Sequence, residues 1–257
     1  MMSADTRRVP SPTAPSPMPA TINPYALVRR IIVAALTGTL PDEYRDDSVH
    51  ILTQALSAPD EDIRALAVIG LSEFGSTAPA VLPALTGAMH DGSDQVRRRA
   101  VRSLGDFGHA ALPSLPHLVC ALEDSATCVR MEAMSAIGRI GPDAEPAVPH
   151  VILLLADEDV RVRTVAGATL KKIGAASVPL LVEALADPDA LVRERAAIIL
   201  GQMGVGDDEV IEGLFEALSD FDEDVRSAAR QALKAIDNCA AIGARITAPQ
   251  PVGTLKG

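Results

Sequence analysis

The chain has 257 residues, of which 48% are hydrophobic, 22% are charged and only 2% are aromatic. This hydrophobic fraction is too high for a wholly disordered chain, and a core without tryptophan must be built from Ala, Leu, Ile and Val, a composition that favours helices. The formal net charge of -11 argues against nonspecific binding of nucleic acid and against attraction to an anionic membrane, because both depend on an excess of Lys and Arg.

The expected compartment is a reducing cytoplasm. The three cysteines form neither a CxxC pair nor an even set, so a disulfide framework is not expected. The longest apolar runs, such as 31–36 and 151–156, are far too short to cross a membrane. Arg7 and Arg8 are followed by prolines rather than by an apolar segment, which does not match a secretory signal. We therefore expect a cytoplasmic protein with no membrane contact.

The first 48 residues divide into two segments. Prolines alternate with Ser, Thr and Ala in residues 1–23, which predicts a disordered arm because such a segment has little to bury. Residues 24–48 contain Val28-Arg29 and Ala35-Leu36, which resemble the repeat that follows. This similarity predicts a degenerate N-terminal capping unit at 24–48.

A repeat of about 33 residues follows the capping unit and is marked by a Val-Arg or Ile-Arg dipeptide. The interval between successive dipeptides is 33 residues, except for one interval of 30 between the fourth and the fifth. The arginines of the six dipeptides are Arg64, Arg97, Arg130, Arg163, Arg193 and Arg226.

Fixed residue types recur at fixed distances from the Val or Ile, which we number position 0. Position 4 is always Ala, position 8 is Leu or Ile, position 11 is a large apolar residue, and position 12 is Gly in the first five repeats. Positions 0, 4, 8 and 11 share one face of an α-helix, and a glycine just beyond that face is typical of a left-handed C-terminal cap. The pattern therefore predicts an amphipathic helix, called helix B, that ends each repeat.

A shorter helix, called helix A, is predicted before helix B. Proline recurs at the start of an apolar stretch in the middle repeats, where its missing N–H costs nothing, and an Asp ends the stretch. One such pair of helices cannot bury its own apolar face, so consecutive pairs must stack. We predict an all-α, right-handed solenoid of six two-helix units over 49–238 and a flexible tail over 239–257.

The recurring letters resemble those of a known repeat family. The segments EDSATCVRMEAMSAIGRIG at 123–141 and ADPDALVRERAAIILGQMG at 186–204 are similar to the HEAT-like repeats named after the phycobilisome lyases. The resemblance covers about 49–238 and implies an armadillo-type α-solenoid. It says little about function, because the shared residues are those that pack.

We interpret the recurring arginines as structural. An arginine at position 1 of every unit can pair with an acidic residue of the same or the next unit, which fixes the register between units. The recurring alanine is interpreted in the same way, because a small residue lets neighbouring helices approach. Asp62, Asp94, Asp189 and Asp224 are expected to cap helix B.

Function is then expected on positions 2, 6 and 9, which point away from the packing face. We expect helix B to line the concave side, where solenoids commonly hold a peptide or a helix of a partner. The hypothesis is a noncatalytic scaffold with a protein-binding groove, and a plain solvated face is the alternative. The candidate groove residues are Ile69, Arg98, Arg102, Met131, Ser135, Thr164, Lys171, Glu194, Ile198 and Gln231.

The segment Arg97–Arg102 contains four arginines and forms a basic patch on an acidic protein. Such a patch can accept an acidic segment, a phosphate or nucleic acid. Nearby aspartates and the lack of aromatic residues for base stacking favour a solvated helix face instead.

Two enzyme alternatives come from the resemblance. A phycobilin-lyase-like chaperone or lyase subunit is connected to this chain through packing residues alone. HEAT-like deoxyhypusine hydroxylases hold di-iron with repeated His-Glu pairs, and none of the five histidines here is followed by Glu. His117 and His150 share a helix A position, but no third ligand accompanies them. We therefore predict no catalytic residue, no metal and no cofactor.

Overall fold

The computed structural model describes residues 23–76 and 79–247, without the side chains of Pro24 and 238–247. Within these residues the chain is helical and contains no strand. The expected arm at 1–23 lies outside the described residues except for Asn23, and the last ten residues of the expected tail also lie outside.

Six two-helix units follow an initial helix, α1 (Pro24–Leu36), and a short 3-10 turn at Asp42–Tyr44. The A helices are α2 (Arg45–Ala55), α4 (Val81–Ala88), α6 (Leu115–Cys120), α8 (Val148–Leu153), α10 (Val178–Glu183) and α12 (Asp208–Ala217). The B helices are α3 (Glu61–Glu73), α5 (Asp94–Asp106), α7 (Thr127–Ile140), α9 (Val160–Ile173), α11 (Ala190–Met203) and α13 (Glu223–Thr247). Each pair of consecutive A and B helices, from α2–α3 to α12–α13, is one unit, and the six units are numbered 1 to 6.

The helix bounds differ from two of the expected segment boundaries. The expected border between the capping unit and the solenoid, at 48/49, falls inside α2. The expected flexible tail begins at residue 239, inside α13, which continues to Thr247. The reason is that α2 and α13 have too few of the recurring letters near these borders for the pattern to show where the helix begins or ends.

The recurring columns form one continuous core along the stack. The six alanines at position 4 are all fully buried, as are the position 8 residues of units 1 to 5. Pro116, Pro149 and Pro179 occupy the first turn of their A helices, as predicted. The periodicity therefore identified the packing face correctly.

The position 12 glycines end the B helices with a positive φ, which confirms that the position needs glycine. The conformation is left-handed helical at Gly204, with φ 66° and ψ 23°. At Gly141 it is φ 88° and ψ -147°, a region that essentially only glycine occupies. Gly174 is similar, with φ 78° and ψ -141°. The predicted left-handed cap is therefore wrong at Gly141 and Gly174, because the chain there extends directly into the next turn.

The N-terminal caps of the B helices lie mostly at other aspartates than expected. Asp189 accepts a hydrogen bond from the backbone N–H of Leu191 at 2.8 Å and caps α11, as predicted. Asp62, Asp94 and Asp224 lie in the first turn instead, where they face the positive end of the helix dipole. Three other B helices are capped by Asp60, Asp159 and Asp222. The N-cap residues of α5 and α7 are Ser93 and Ala126, and neither makes a side-chain cap hydrogen bond.

Successive B helices make more extensive contact with one another than successive A helices do, and the contact between α9 and α11 is the least extensive among the B helices. That helix B lines a concave side stays a prediction.

One stretch, Val160–Ala186, is long and apolar enough to cross a membrane by length and composition alone. In the fold it is not a single helix, because Gly174, at φ 78°, ends α9 and the chain turns before α10. Both helices are built into the stack as parts of units 4 and 5.

Candidate functional site

The arginine of position 1 connects consecutive units. Arg97 donates from Nε and Nη2 to the two carboxylate oxygens of Asp124 in the next unit, at 2.7 and 2.8 Å. Arg64 with Asp91 and Arg193 with Asp220 repeat this geometry. Arg130 makes only one such bond, at 3.3 Å to Asp157. The predicted pairing of the recurring arginines with acidic residues, which we call the arginine ladder, is confirmed at these four positions, and its pairs lie between units.

Every ladder arginine also makes a hydrogen bond within its own unit, to the turn between helix A and helix B. Arg97 Nη1 donates to the backbone carbonyl of Asp91 at 3.0 Å, at the turn between helix A and helix B. The five other ladder arginines donate to the corresponding carbonyl, six residues upstream. The arginines at position 1 are therefore engaged in structural hydrogen bonds.

Two ladder arginines have no partner in a following unit. Arg226 belongs to the last unit. Arg163 lies where the repeat is three residues shorter, and its buried Nε has no hydrogen-bond partner among the described residues. The predicted ladder is therefore wrong at Arg163, because the shorter repeat leaves no Asp in reach, although the within-unit bond persists.

The ladder changes the titration of its aspartates. A hydrogen bond from Arg97 holds the pKa of Asp124 below its ordinary value, against the opposing effect of burial. Arg64 and Arg193 lower the pKa of Asp91 and Asp220 in the same way. These carboxylates are ionised in the folded protein well into the acidic range.

The predicted groove residues are all exposed or half-buried and lie on the B helices. The apolar ones, Ile69, Met131 and Ile198, are half-buried and pack against the core, so they are not free apolar contacts. Arg98, Arg102, Thr164, Lys171 and Gln231 are exposed, while Ser135 and Glu194 are half-buried. The large apolar side chains that are exposed lie elsewhere, for example Leu153 on helix A and Phe215 on α12.

Position 9 does not belong to the groove in three units. Gly105, Gly138 and Gly201 are buried at the contact with the next B helix. A Cβ built on Gly201 would lie 2.5 Å from Ala232 Cα, closer than real Cβ atoms come. The assignment of this position to the open face is therefore wrong wherever it is glycine, because two helices touch there. The recurrence of glycine at position 9 in three units was a signal of close helix contact that the sequence contained.

Between consecutive B helices the surface forms shallow furrows. The furrow between α3 and α5 has a volume of about 290 Å³ and is lined by Ile69, Ser72, Gln95, Arg98, Arg99, Arg102, Ser103 and Asp106. The furrow between α11 and α13 has a volume of about 210 Å³, and Ile198 and Gln231 are among its lining residues. Five of the ten predicted groove residues therefore line these two furrows, namely Ile69, Arg98, Arg102, Ile198 and Gln231. The other five line neither furrow: Met131, Ser135, Thr164, Lys171 and Glu194. We call this side of the stack the helix B face.

The structure divides the basic patch. Arg97 belongs to the ladder, and its guanidinium is committed to Asp124. Arg98, Arg99 and Arg102 line the α3–α5 furrow, which also contains Asp106. The nearest arginine to Asp106 is Arg139 of the next unit, at 3.9 Å.

Histidines and cysteines do not form a recognisable centre in the described residues. His117 lies beside His90, with ring centroids 6.0 Å apart, rather than beside His150. No group of three or more His, Cys, Asp or Glu suited to a metal ion occurs within 23–76 and 79–247. Sequence reasoning missed the His90–His117 contact, because it compared only equivalent helix positions.

Stacked two-helix units with packed columns define this chain as an α-solenoid repeat protein. The HEAT-repeat family matches it in three overlapping segments, 20–105, 87–171 and 148–234, and the chain belongs to that family. No curated protein matches the chain significantly in sequence.

Several solved structures are similar to the chain at low identity. An archaeal HEAT-like repeat protein from Thermococcus onnurineus NA1 is 15% identical, with a TM-score of 0.46 over 86% of this chain and 99% of the other. A complex of CpcE and CpcF of phycocyanin lyase from Nostoc sp. PCC7120 is 19% identical, with a TM-score of 0.43 over 90% and 99%. A designed armadillo repeat protein in complex with the peptide (KR)4 is 21% identical, with a TM-score of 0.43 over 72% and 98%.

Proposed function

We propose that this HEAT-repeat protein is a noncatalytic scaffold that binds another protein on its helix B face. One observation carries the proposal. The recurring residues are buried in the core or hydrogen-bonded in the arginine ladder. The residues that vary between units surround the furrows of the helix B face. In a repeat stack, the variable positions of a continuous surface are those that can select a partner.

The furrows suit an extended peptide or one face of a helix. Their floors contain half-buried apolar residues such as Ile69 and Ile198, and their rims are polar, with Arg102 and Gln231 exposed. This combination of an apolar floor and a polar rim is typical of protein interfaces. The openings are shallow, which fits side chains of a bound segment better than a small molecule enclosed on most sides.

The test compares two variants with the same change of composition. Ala168→Glu with Gln231→Glu places two carboxylates on exposed positions of the helix B face. Gln54→Glu with Ala110→Glu makes the same exchanges at exposed positions on α2 and on the turn before α6. Both variants have the same net charge, so a general electrostatic effect is common to them.

Partners captured by the wild type are quantified by mass spectrometry and then purified for titration calorimetry with each variant. We expect the helix B variant to lose the direct interaction, while the control retains it. Equal affinity of the two variants for every purified partner would rule out the helix B face as the binding surface.

A further inference from the structure

We infer that the α3–α5 furrow binds the carboxylates of an acidic peptide segment, an inference that rests on the proposed protein-binding function. Of the two furrows described on the helix B face, this one is lined by three arginines, Arg98, Arg99 and Arg102. Its volume of about 290 Å³ accommodates one or two acidic side chains.

The three arginines have no direct ion pair in the fold, although one carboxylate, that of Asp106, lines the same furrow. Among the described residues, none of them forms an ion pair or a side-chain hydrogen bond with a carboxylate. The Nε of Arg99 is buried and has no hydrogen-bond partner there. A ligand carboxylate can reach the exposed side chains of Arg98 and Arg102, where it would form charge-assisted hydrogen bonds.

An arginine at position 3, such as Arg99 on α5, is not sufficient for this site, as the equivalent residue of α11 shows. Arg195 also has a buried Nε without a partner, but its neighbours at positions 2 and 6 are Glu194 and Ile198. On α5 both of these neighbours are arginines. The concentration of positive charge is therefore specific to the α3–α5 furrow.

Carboxylates match the furrow better than a nucleic acid does. Arginine binds a carboxylate with two parallel hydrogen bonds, and Arg97, the residue directly before Arg98, shows this geometry with Asp124. The furrow has no aromatic residue on which a base could stack, and the net charge of -11 opposes a long polyanion that would extend beyond it. A short acidic segment of a protein avoids that repulsion.

The experiment uses fluorescence anisotropy with the full chain and a fluorescein-labelled peptide of eight glutamates. A neutral Gly-Ser peptide, a phosphoserine peptide and a single-stranded oligothymidylate serve as comparison probes. The test variant is Arg98→Gln with Arg102→Gln, and Arg102→Gln alone is the milder version. Arg29→Gln with Arg30→Gln is the matched control, because both of these residues are exposed on α1 and the charge change is identical.

We expect the glutamate peptide to bind in preference to the other probes and to weaken as salt is raised. The test variant should lose at least about tenfold in affinity, since two charge-assisted contacts are removed, and the control should change by less than about twofold. Equal losses in both variants, or an unchanged affinity in the test variant, would overturn the inference. Preference for the phosphoserine peptide or the oligonucleotide would also overturn it.

The two proposals fail separately. If the glutamate peptide does not bind, but a purified partner is still sensitive to Ala168→Glu with Gln231→Glu, the acidic segment is wrong and the scaffold function stands. If the peptide binds and no partner is sensitive to those changes, the furrow is an anion site on a face that is not used for partner binding. That second result would contradict the scaffold function and would leave the binding of carboxylates in the furrow standing.

Discussion

The contact between α5 and α7 and the contact between α9 and α11 are built from the same repeat and differ in almost every detail. Gly105 occupies position 9 of α5, and a Cβ there would lie 2.8 Å from Ala136 Cα. The corresponding residue of α9 is Lys171, and α9 and α11 are more widely separated than the other consecutive B helices. Close packing therefore accompanies glycine at this position and is lost where the position is lysine.

The ion pairs of the arginine ladder also differ between the two contacts: they form at the close contact and are missing at the wide one. Arg97 reaches Asp124 with two short hydrogen bonds, whereas Arg163 reaches no carboxylate of the next unit. Across α9 and α11 the polar connection is instead an exposed hydrogen bond of 2.7 Å from Lys171 Nζ to Gln202 Oε1. The shortening of one repeat by three residues thus coincides with the loss of both close packing and charge pairing.

The largest effect on stability is expected from adding a methyl group at a close contact. Gly201→Ala would force α11 and α13 apart, because its Cβ meets the backbone of Ala232 rather than a flexible side chain. Overpacking of this kind costs roughly 1–3 kcal/mol. The control is Gly167→Ala, whose Cβ would lie 3.4 Å from Ile199 Cδ1, an ordinary contact. Thermal melts should show a clear loss for Gly201→Ala and none for Gly167→Ala, and equal losses would contradict the comparison.

Removing one ladder charge should have the next largest effect. Asp124→Asn leaves an oxygen that can still accept the N–H of Ala126 but removes the charge that faces Arg97. Because Asp124 and Arg97 are only 12% and 15% exposed, we expect a loss of about 1–2 kcal/mol. Asp187→Asn is the matched control, since the Asp187 carboxylate accepts the N–H of Asp189 but no hydrogen bond from a ladder arginine, and Arg193 bonds only its backbone carbonyl. Urea titrations of the two variants that give the same free energy of unfolding would refute a stabilising role for the ladder.

The ladder also predicts the response to acid. The pKa of Asp91, Asp124 and Asp220 is lowered in the folded state, chiefly by hydrogen bonds from arginine. Their contribution is therefore complete above their ordinary pKa of 3.8 and is lost as the pH falls through the lower folded values. Melting temperatures measured from pH 7 to pH 2.5 should fall in this acidic range. The fall should be shallower in Asp124→Asn, and an identical pH profile would contradict the assignment.

The smallest effect is expected at the wide contact. Lys171→Met removes the exposed hydrogen bond to Gln202, and the stability should change by less than about 0.5 kcal/mol. Chemical denaturation of this variant beside Asp124→Asn measures the two polar connections on one scale. A loss as large as that of Asp124→Asn would show that the units are coupled equally at both contacts.

The buried packing residues could be predicted from the sequence because the same residue type recurs at the same position of six units. Such recurrence indicates the same environment in each unit. The buried alanines at position 4 and the positive φ of the glycines at position 12 follow directly from this repetition. The partner of each arginine was less certain, because spacing alone does not say whether Asp91 or Asp124 faces Arg97. The unpaired Arg163 could be found only in three dimensions, since its dipeptide looks like all the others.

The candidate site was harder to predict for a related reason. Residues such as Ile69 and Met131 occupy positions that point away from the core of an isolated helix, yet neighbouring helices cover them in the stack. Position 9 is covered in the same way wherever it is glycine. A helical wheel describes one helix, and the free surface of a solenoid depends on the spacing between two.

The wide contact between α9 and α11 also bears on how the molecule unfolds. In a linear stack, cooperativity passes only between nearest neighbours, so a weak interface divides the array into segments that melt with some independence. The four units before this interface and the two units after it should then exchange their amide hydrogens as two separate groups. A partner that bridges both groups would make the array melt as one, and its binding would be visible as protection far from the residues that it touches.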